Sequence, residues 1–163
     1  MIKNTKQPSV IELTSDLRLR TPNPDEWHLA LPWYQNRNVL YFSEGVTDKI
    51  YDISVINNMY SYLSEIGELY FIEVLLEQWT AIGDVTLSES NFPIVIGNES
   101  YWGKGIGKVV LTKLLDRAKQ IGMTKITVPE IYNYNDRSRS LFQSLGFVKV
   151  DASEASEKYE IKL

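Results

Sequence analysis

Cysteine is absent from the 163 residues of this sequence, and histidine occurs once, at His28. Without cysteine the protein has no disulfide bonds, no cysteine-ligated zinc and no catalytic thiol. One histidine without cysteine partners cannot form a tetrahedral zinc site, so we expect no metal centre. The sequence also lacks the Gly-x-Ser-x-Gly motif that positions a nucleophilic serine, which argues against a hydrolase of that class.

Long apolar runs are missing too. No apolar run approaches the length of a membrane-spanning helix, and Met1–Lys6 lacks the apolar segment of a signal peptide. With 44% hydrophobic and 23% charged residues, the composition is typical of a folded domain. We therefore expect one cytoplasmic domain over residues 1–163, without a membrane partner, as a monomer or a homodimer.

The net charge of −4 and the lack of a concentrated basic stripe argue against nucleic acid as a partner. A negative surface would favour a cationic substrate instead. The alternative is that the mild acidity serves solubility alone.

Hydrophobic spacing predicts helices over residues 26–34, 48–66, 105–120 and 136–145. Extended segments predict strands over 11–13, 17–20, 69–75, 79–87, 92–96, 125–128, 147–150 and 158–163. Strands linked by hairpins and strands linked by helices together predict a mixed sheet. Neither an internal repeat nor a linker divides the chain.

What the chain does contain is a segment rich in glycine and lysine, Tyr101–Lys108, between an apolar strand and a long helix. Glycines allow backbone N–H groups to converge on one point, and the N-terminus of the next helix adds positive partial charge. The segment therefore predicts a site for a pyrophosphate or polyphosphate. A glycine-rich turn without a ligand is the alternative.

Two well-known phosphate loops do not fit this segment. A Walker loop requires glycine five positions before Gly107, where the sequence has Trp102, and Ser or Thr at the position of Val109. A dinucleotide-binding fingerprint requires a third glycine, which is replaced by Lys108 or Val110. A P-loop or Rossmann protein is therefore not expected.

Two ordered motifs resemble those of the Gcn5-related N-acetyltransferases (GNAT). The Arg/Gln-x-x-Gly-x-Gly/Ala pattern of that family falls on Trp102–Gly107, and its Asn-x-x-Ser-x-x-Leu-Phe segment falls on Asn135–Phe142, closing in Leu145–Phe147. Leu17–Arg20 and Ile82–Val85 resemble strands of the ribosomal-protein-alanine, or RimJ/RimL-like, branch. The resemblance covers nearly the whole chain, with Trp102 replacing the usual Arg or Gln.

This resemblance implies an α+β fold of α/β/α layers, with a mixed central sheet of about six to seven strands and about four flanking helices. Two parallel central strands would splay apart and hold acetyl-coenzyme A. The cofactor-binding residues implied are Ile94, Val95, Ile96, Gly97, Trp102, Gly103, Lys104, Gly105, Ile106, Gly107, Lys108, Asn135, Arg137, Ser138 and Phe142. The implied reaction is direct acetyl transfer to a primary amine of a small molecule or a protein N-terminus.

The amine must lose a proton, and the sequence offers four carboxylates on strands or strand ends: Glu73, Asp84, Glu99 and Glu130. We favour Glu130 as the base. Many family members have a tyrosine at the position of Phe142, which cannot donate a proton, so Tyr134 is the favoured acid. Tyr132 and water are the alternatives.

Aromatic and acidic residues are expected to form the acceptor site, with Trp33, Tyr34, Asp84 and Glu99 as candidates. A site formed by aromatic and acidic side chains suits cationic amines, including aminoglycosides, polyamines and protein N-termini. The alternative is that the aromatic residues belong to the core. The alternative function is a non-catalytic acyl-coenzyme A sensor or partner module with the same fold, which Phe142 leaves open.

Overall fold

The computed structural model describes residues 5–45 and 51–163. Strands occupy β1 (Val10–Thr14), β2 (Leu17–Arg20), β3 (Glu68–Leu75), β4 (Trp79–Leu87), β5 (Ile94–Ile96), β6 (Lys125–Tyr132), β7 (Val148–Ala152) and β8 (Ser156–Lys162). Helices occupy α1 (Leu31–Tyr34), α2 (Arg37–Glu44), α3 (Ile53–Ile66), α4 (Ile106–Gln120) and α5 (Asp136–Ser144). Two 3-10 segments, Pro24–Ala30 and Glu99–Tyr101, complete the described elements.

The strands form two antiparallel sheets that meet at one pair of edges. The first sheet has the order β1-β2-β3-β4-β5 and the second the order β6-β8-β7, so β5 and β6 are both edge strands. Just before β5, the amide of Thr127 donates to the carbonyl of Glu89 at 2.9 Å. Within residues 5–45 and 51–163 no ladder pairing joins β5 to β6, so the two edges separate into a cleft.

The expected α+β architecture is confirmed, and the structure differs in details. The described ladder pairings are all antiparallel and form two sheets, where one mixed sheet is expected from the sequence. The described residues contain eight strands instead of six to seven, and five α-helices instead of about four. The strand predicted over 125–128 continues to Tyr132 because a bulge accommodates Pro129. The helix predicted over 48–66 begins at Ile53, and positions 48–50 lie outside the described residues.

Two hydrophobic cores cover opposite faces of the first sheet. Along β3, Tyr70 and Ile72 belong to the core that packs on α4 and α5, whereas Leu69 and Phe71 belong to the core beneath α1 to α3. This alternation is the period of two expected of a strand buried on both faces. The sheet is therefore held between two helical layers, and its β5 edge is left for the cleft.

Helix α2 was not predicted, although both of its ends carry recognisable signals. The Asn36 side chain accepts hydrogen bonds from the amides of Asn38 and Val39, which caps the N-terminus. Gly45 ends the helix with φ of 68°, the left-handed conformation typical of a C-terminal glycine. The helix brings its last residue, Glu44, to the cleft.

Candidate active site

A cleft of about 610 Å³ opens between β5, the glycine loop, β6 and α5. One wall is β5. Its other edge pairs with β4, where Ile94 lies opposite Val85, Val95 opposite Asp84 and Ile96 opposite Gly83. The second edge of β5 faces the cleft without a ladder partner among the described residues. Unpaired strand groups of this kind can bind an extended ligand through backbone hydrogen bonds.

Two glycines of the loop adopt left-handed backbone conformations that favour glycine. Gly103 and Gly105 have φ of 73° and 79°, and no described atom lies within 4 Å of a Cβ added to either. Gly105 is the N-cap residue of α4, so the first amides of that helix open toward the cleft. A Cβ on Gly107 would stand 3.0 Å from Leu141, so glycine is needed there for α4 to approach α5.

Trp102 replaces the usual Arg or Gln, and it holds two parts of the site together. Its indole N–H donates to the carbonyl of Ile96 at 2.7 Å, which fastens the loop to β5. The guanidinium of Arg137 lies 4.6 Å from the centroid of the Trp102 ring. Together with Lys104 and Lys108, which also line the cleft, Arg137 places positive charge beside the loop.

The second motif forms the far wall of the cleft at the start of α5. The Asn135 side chain accepts from the amide of Ser138 at 3.1 Å and donates to the carbonyl of Phe42 at 3.2 Å, so it caps α5 and joins it to α2. Ser138 and Phe142 also line the cleft. Phe142 is 2% exposed and packs edge-on against Phe147, so its ring is a wall of the cleft and part of the core.

The acceptor residues expected from the sequence lie elsewhere. Trp33 and Tyr34 are buried, and neither lines the cleft in the described part of the chain. Gly97, expected to bind the cofactor, is also outside the described lining. It packs closely on Trp33, because a Cβ added to Gly97 would stand 2.1 Å from that ring. These aromatic side chains belong to the core beneath α1 to α3, which was the alternative considered for them.

Asp84 is buried in a polar cluster with two tyrosines. The hydroxyls of Tyr34 and Tyr60 both donate to its Oδ2, at 2.7 Å and 2.6 Å. Burial raises the pKa of Asp84 to about 6, although both hydrogen bonds oppose that rise. Asp84 is 1% exposed and does not line the cleft among the described residues.

Two other expected carboxylates, Glu99 and Glu73, are bonded to residues outside the cleft. Glu99 is exposed and accepts hydrogen bonds from Asn36 and Asn38 at 3.1 Å and 2.9 Å, which lower its pKa. Glu73 is buried and paired with Arg18 and Arg20. Neither carboxylate lines the cleft in the described residues.

Of the two residues favoured for catalysis, only Glu130 lines the cleft. It stands in the bulge of β6, where the ladder skips from Val128 to Ile131, and its side chain is exposed. The hydroxyl of Tyr134 donates instead to the carbonyl of Tyr41, and its ring stacks on that of Tyr41. Tyr134 is outside the described cleft lining, so its geometry does not suit the predicted role of acid.

Glu44 is a cleft residue that the sequence did not reveal, because the helix carrying it was not predicted. Burial raises the pKa of the Glu44 carboxyl. A hydrogen bond from Tyr51 opposes the rise, and repulsion from Glu130 adds to it. The cap at Asn36 and the glycine at position 45 were the signals that would have located α2.

Over residues 5–45 and 51–163, no group of three His, Asp or Glu side chains is arranged to hold a metal ion. In the same residues, every helix is too short or too polar to cross a bilayer.

The sequence matches the acetyltransferase (GNAT) family over residues 65–147. The chain belongs to that family. A GNAT assignment agrees with the glycine loop and the Asn135 motif, both of which lie in the matched region. An uncharacterized protein of Methanocaldococcus jannaschii is 36% identical over 88 residues, which are 50% of this chain. The matched segment is 18% of that relative's length.

Solved structures also share the GNAT fold. A domain from Methanocaldococcus jannaschii has a TM-score of 0.78 and 25% identity, covering 92% of this chain and 100% of that one. The microcin C7 self-immunity acetyltransferase MccE, in complex with acetyl-CoA and AMP, has a TM-score of 0.74 and 17% identity, covering 96% and 98%. RimL, a ribosomal L7/L12 alpha-N-protein acetyltransferase in complex with coenzyme A, has a TM-score of 0.72 and 14% identity, covering 94% and 98%.

Proposed function

We propose that this GNAT domain is an N-acetyltransferase that transfers the acetyl group of acetyl-CoA directly to a primary amine. The observation that carries the proposal is the splayed cleft, which combines the free edge of β5 with a glycine loop at the N-terminus of α4. Complexes of MccE with acetyl-CoA and of RimL with coenzyme A support the same ligand class.

The residues of the cleft fit the chemical parts of this donor. The loop amides at Gly103–Lys108, with Lys104, Lys108 and Arg137, would hold the diphosphate through backbone donors and positive charge. The unpaired edge of β5 would pair with the amide groups of the pantetheine arm. When bound, acetyl-CoA supplies a thioester carbonyl that is already reactive toward a neutral amine.

Catalysis by this chain would rest mainly on positioning. A backbone N–H of β5 would stabilise negative charge developing on the carbonyl oxygen. Phe142 has no proton to donate, and the Tyr134 hydroxyl is bound to the Tyr41 carbonyl, so water would protonate the leaving thiolate. A carboxylate in the cleft, Glu130 or Glu44, would receive the proton of the amine.

The acceptor is a small-molecule amine or a protein N-terminus under this proposal. Membership of the RimJ/RimL-like branch is supported by the strand motif Leu17–Arg20 and by the shared fold with RimL. A protein α-amine is therefore one acceptor class to test. Polyamines and aminoglycosides belong in the same panel because the cleft carries carboxylates for cationic groups.

The test is calorimetric titration with acetyl-CoA, followed by thiol release with aminoglycosides, polyamines, amino acids and N-terminal peptides. Binding with turnover would support the enzyme and identify its acceptor class. Phe142 and the committed hydroxyl of Tyr134 favour a second candidate, an acyl-CoA sensor, which predicts binding without turnover. Absence of binding would contradict both candidates.

A further inference from the structure

Two carboxylates line the cleft among the described residues, Glu44 from α2 and Glu130 from the bulge of β6. The two carboxylates are close enough for the charge of Glu130 to act on Glu44. We propose that Glu44 is the proton acceptor for the substrate amine. This inference rests on the proposed acetyltransferase function.

The structure holds the end of α2 firmly against β6. The hydroxyl of Tyr132 donates to the carbonyl of Glu44 at 3.0 Å. Gly45 turns the chain directly over the Tyr132 ring, where an added Cβ would stand 2.7 Å from Cζ. Any other residue at position 45 would combine a strained φ with a collision. Glu44 is therefore positioned by contacts to the cleft wall on which Glu130 also stands.

The surroundings of Glu44 suit proton transfer better than those of the other carboxylates. Its side chain is half-buried, and burial raises its pKa toward the range useful to a general base. The titratable groups that act on it or are affected by it are Tyr51, Glu130, Asp84, Tyr34 and Tyr132. Of these, Tyr51 stabilises the carboxylate by a hydrogen bond, whereas the charge of Glu130 favours protonation.

The Glu44 carboxylate takes one proton from the substrate ammonium and later releases it to solvent. The freed lone pair on nitrogen forms the C–N bond as the C–S bond of the thioester breaks. A second proton lost from nitrogen balances the one gained by the thiolate through water. One amide, one thiol and one solvent proton result from one ammonium and one thioester.

The experiment compares the pH dependence of kcat/KM for the wild type, Glu44→Gln and Glu130→Gln at saturating acetyl-CoA. We expect Glu44→Gln to lower kcat/KM by about 10²- to 10⁴-fold and to lose the acidic limb, because a general base works only when deprotonated. Glu130→Gln should retain that limb, shifted to lower pH as the repulsion is removed. Glu12→Gln, on the opposite edge strand β1, is the matched control.

A second readout does not depend on turnover. NMR of protein with ¹³C-labelled glutamate carboxyl groups would follow Glu44 in the cofactor-free protein, assigned by its loss in Glu44→Gln. Its midpoint should fall in Glu130→Gln, because the repulsion from Glu130 is removed. Calorimetry should give acetyl-CoA affinity within a few-fold of wild type for Glu44→Gln, which would show that the fold is retained.

The outcomes separate the two proposals. If wild-type protein binds acetyl-CoA but acetylates none of the amines, the proposed function fails, and the role of Glu44 fails with it. If the wild type turns over and Glu44→Gln keeps both its rate and its acidic limb, only the role of Glu44 is overturned. Loss of the limb in Glu130→Gln alone would assign the base to Glu130. Glu44→Asp should recover the acidic limb with reduced kcat.

Discussion

The Arg137 guanidinium stacks over the Trp102 ring at 4.6 Å and thereby links α5 to the glycine loop. At the same time the Trp102 indole donates to the carbonyl of Ile96 on β5. One side chain thus connects three walls of the cleft. In this chain, the residue that replaces the usual Arg or Gln of the loop is bound to an arginine from the second motif.

This relationship predicts coupling between the two side chains in cofactor binding. Arg137→Gln removes a positive charge from the cleft and Trp102→Leu removes both the stack and the bond to Ile96, so each should weaken acetyl-CoA binding. A double-mutant cycle by calorimetry should give a coupling of about 0.5–1 kcal/mol, the strength of an exposed cation–π contact. Lys119→Gln, at the other end of α4, should leave the affinity unchanged. Strictly additive effects would refute the coupling.

The glycine loop can be tested with a pair of substitutions that impose the same backbone strain. Gly105 and Gly122 have φ of 79° and 86°, and no described atom lies within 4 Å of a Cβ at either position. Valine at each should destabilise the fold by roughly 1–2 kcal/mol, the cost of a left-handed conformation. Only Gly105→Val should weaken acetyl-CoA binding, by more than about tenfold (about 1.4 kcal/mol) because its side chain enters the phosphate cradle.

Thermal unfolding and calorimetry on both glycine variants would check this prediction. Equal affinities in Gly105→Val and the wild type would remove the phosphate-binding role of the loop. Equal losses of affinity in Gly105→Val and Gly122→Val would instead attribute the effect to strain in α4.

Asn135 has two structural bonds that can be separated by substitution. Asn135→Asp keeps an acceptor for the Ser138 amide and loses the donor to the Phe42 carbonyl, whereas Asn135→Ala loses both. We expect Asn135→Ala to cost about 1–2 kcal/mol of stability, and Asn135→Asp to cost less because the cap is retained. Both should weaken acetyl-CoA binding or turnover, since α2 and α5 meet at the cleft.

Chemical denaturation would rank the three proteins. Equal stabilities for the alanine and aspartate variants would mean that the cap of α5 contributes nothing measurable. Unchanged affinity and turnover in both would show that the link between α2 and α5 has no role at the site.

Asp84 predicts a specific dependence of stability on pH. Its pKa is about 6 in the folded protein, above its ordinary value of 3.8. The folded state therefore binds more protons than the unfolded state between about pH 4 and 6, so this group's contribution to stability falls as pH rises through that range. Asp84→Asn keeps an acceptor for the tyrosine hydroxyls and removes the titration.

The free energy of unfolding should be measured for both proteins from pH 4 to 7. The stability of Asp84→Asn relative to wild type should increase by about 2–3 kcal/mol over this range, because one pKa unit corresponds to 1.36 kcal/mol. Asp116→Asn, an exposed position, is the control and should follow the wild type. Parallel profiles for Asp84→Asn and wild type would contradict the raised pKa.

Local sequence patterns were sufficient to predict much of the secondary structure. The strand predicted over 79–87 matches β4 at both ends, and the helix predicted over 105–120 matches α4 within one residue. These segments carry strong periodicity and a clear glycine boundary. The predicted length of β6 is too short because a proline such as Pro129 is typical of a strand end. An edge strand can instead bulge around a proline and continue.

By itself, the sequence determined the glycine loop and the cap of α5, because backbone conformation at Gly103, Gly105 and Asn135 depends on neighbouring residues. Only the tertiary structure decided which carboxylates face the cleft. Asp84 meets tyrosines 50 and 24 residues away, and the Tyr134 hydroxyl meets a carbonyl 93 residues away. Burial and hydrogen-bond partners set the roles of these polar groups, and both arise from packing between distant segments.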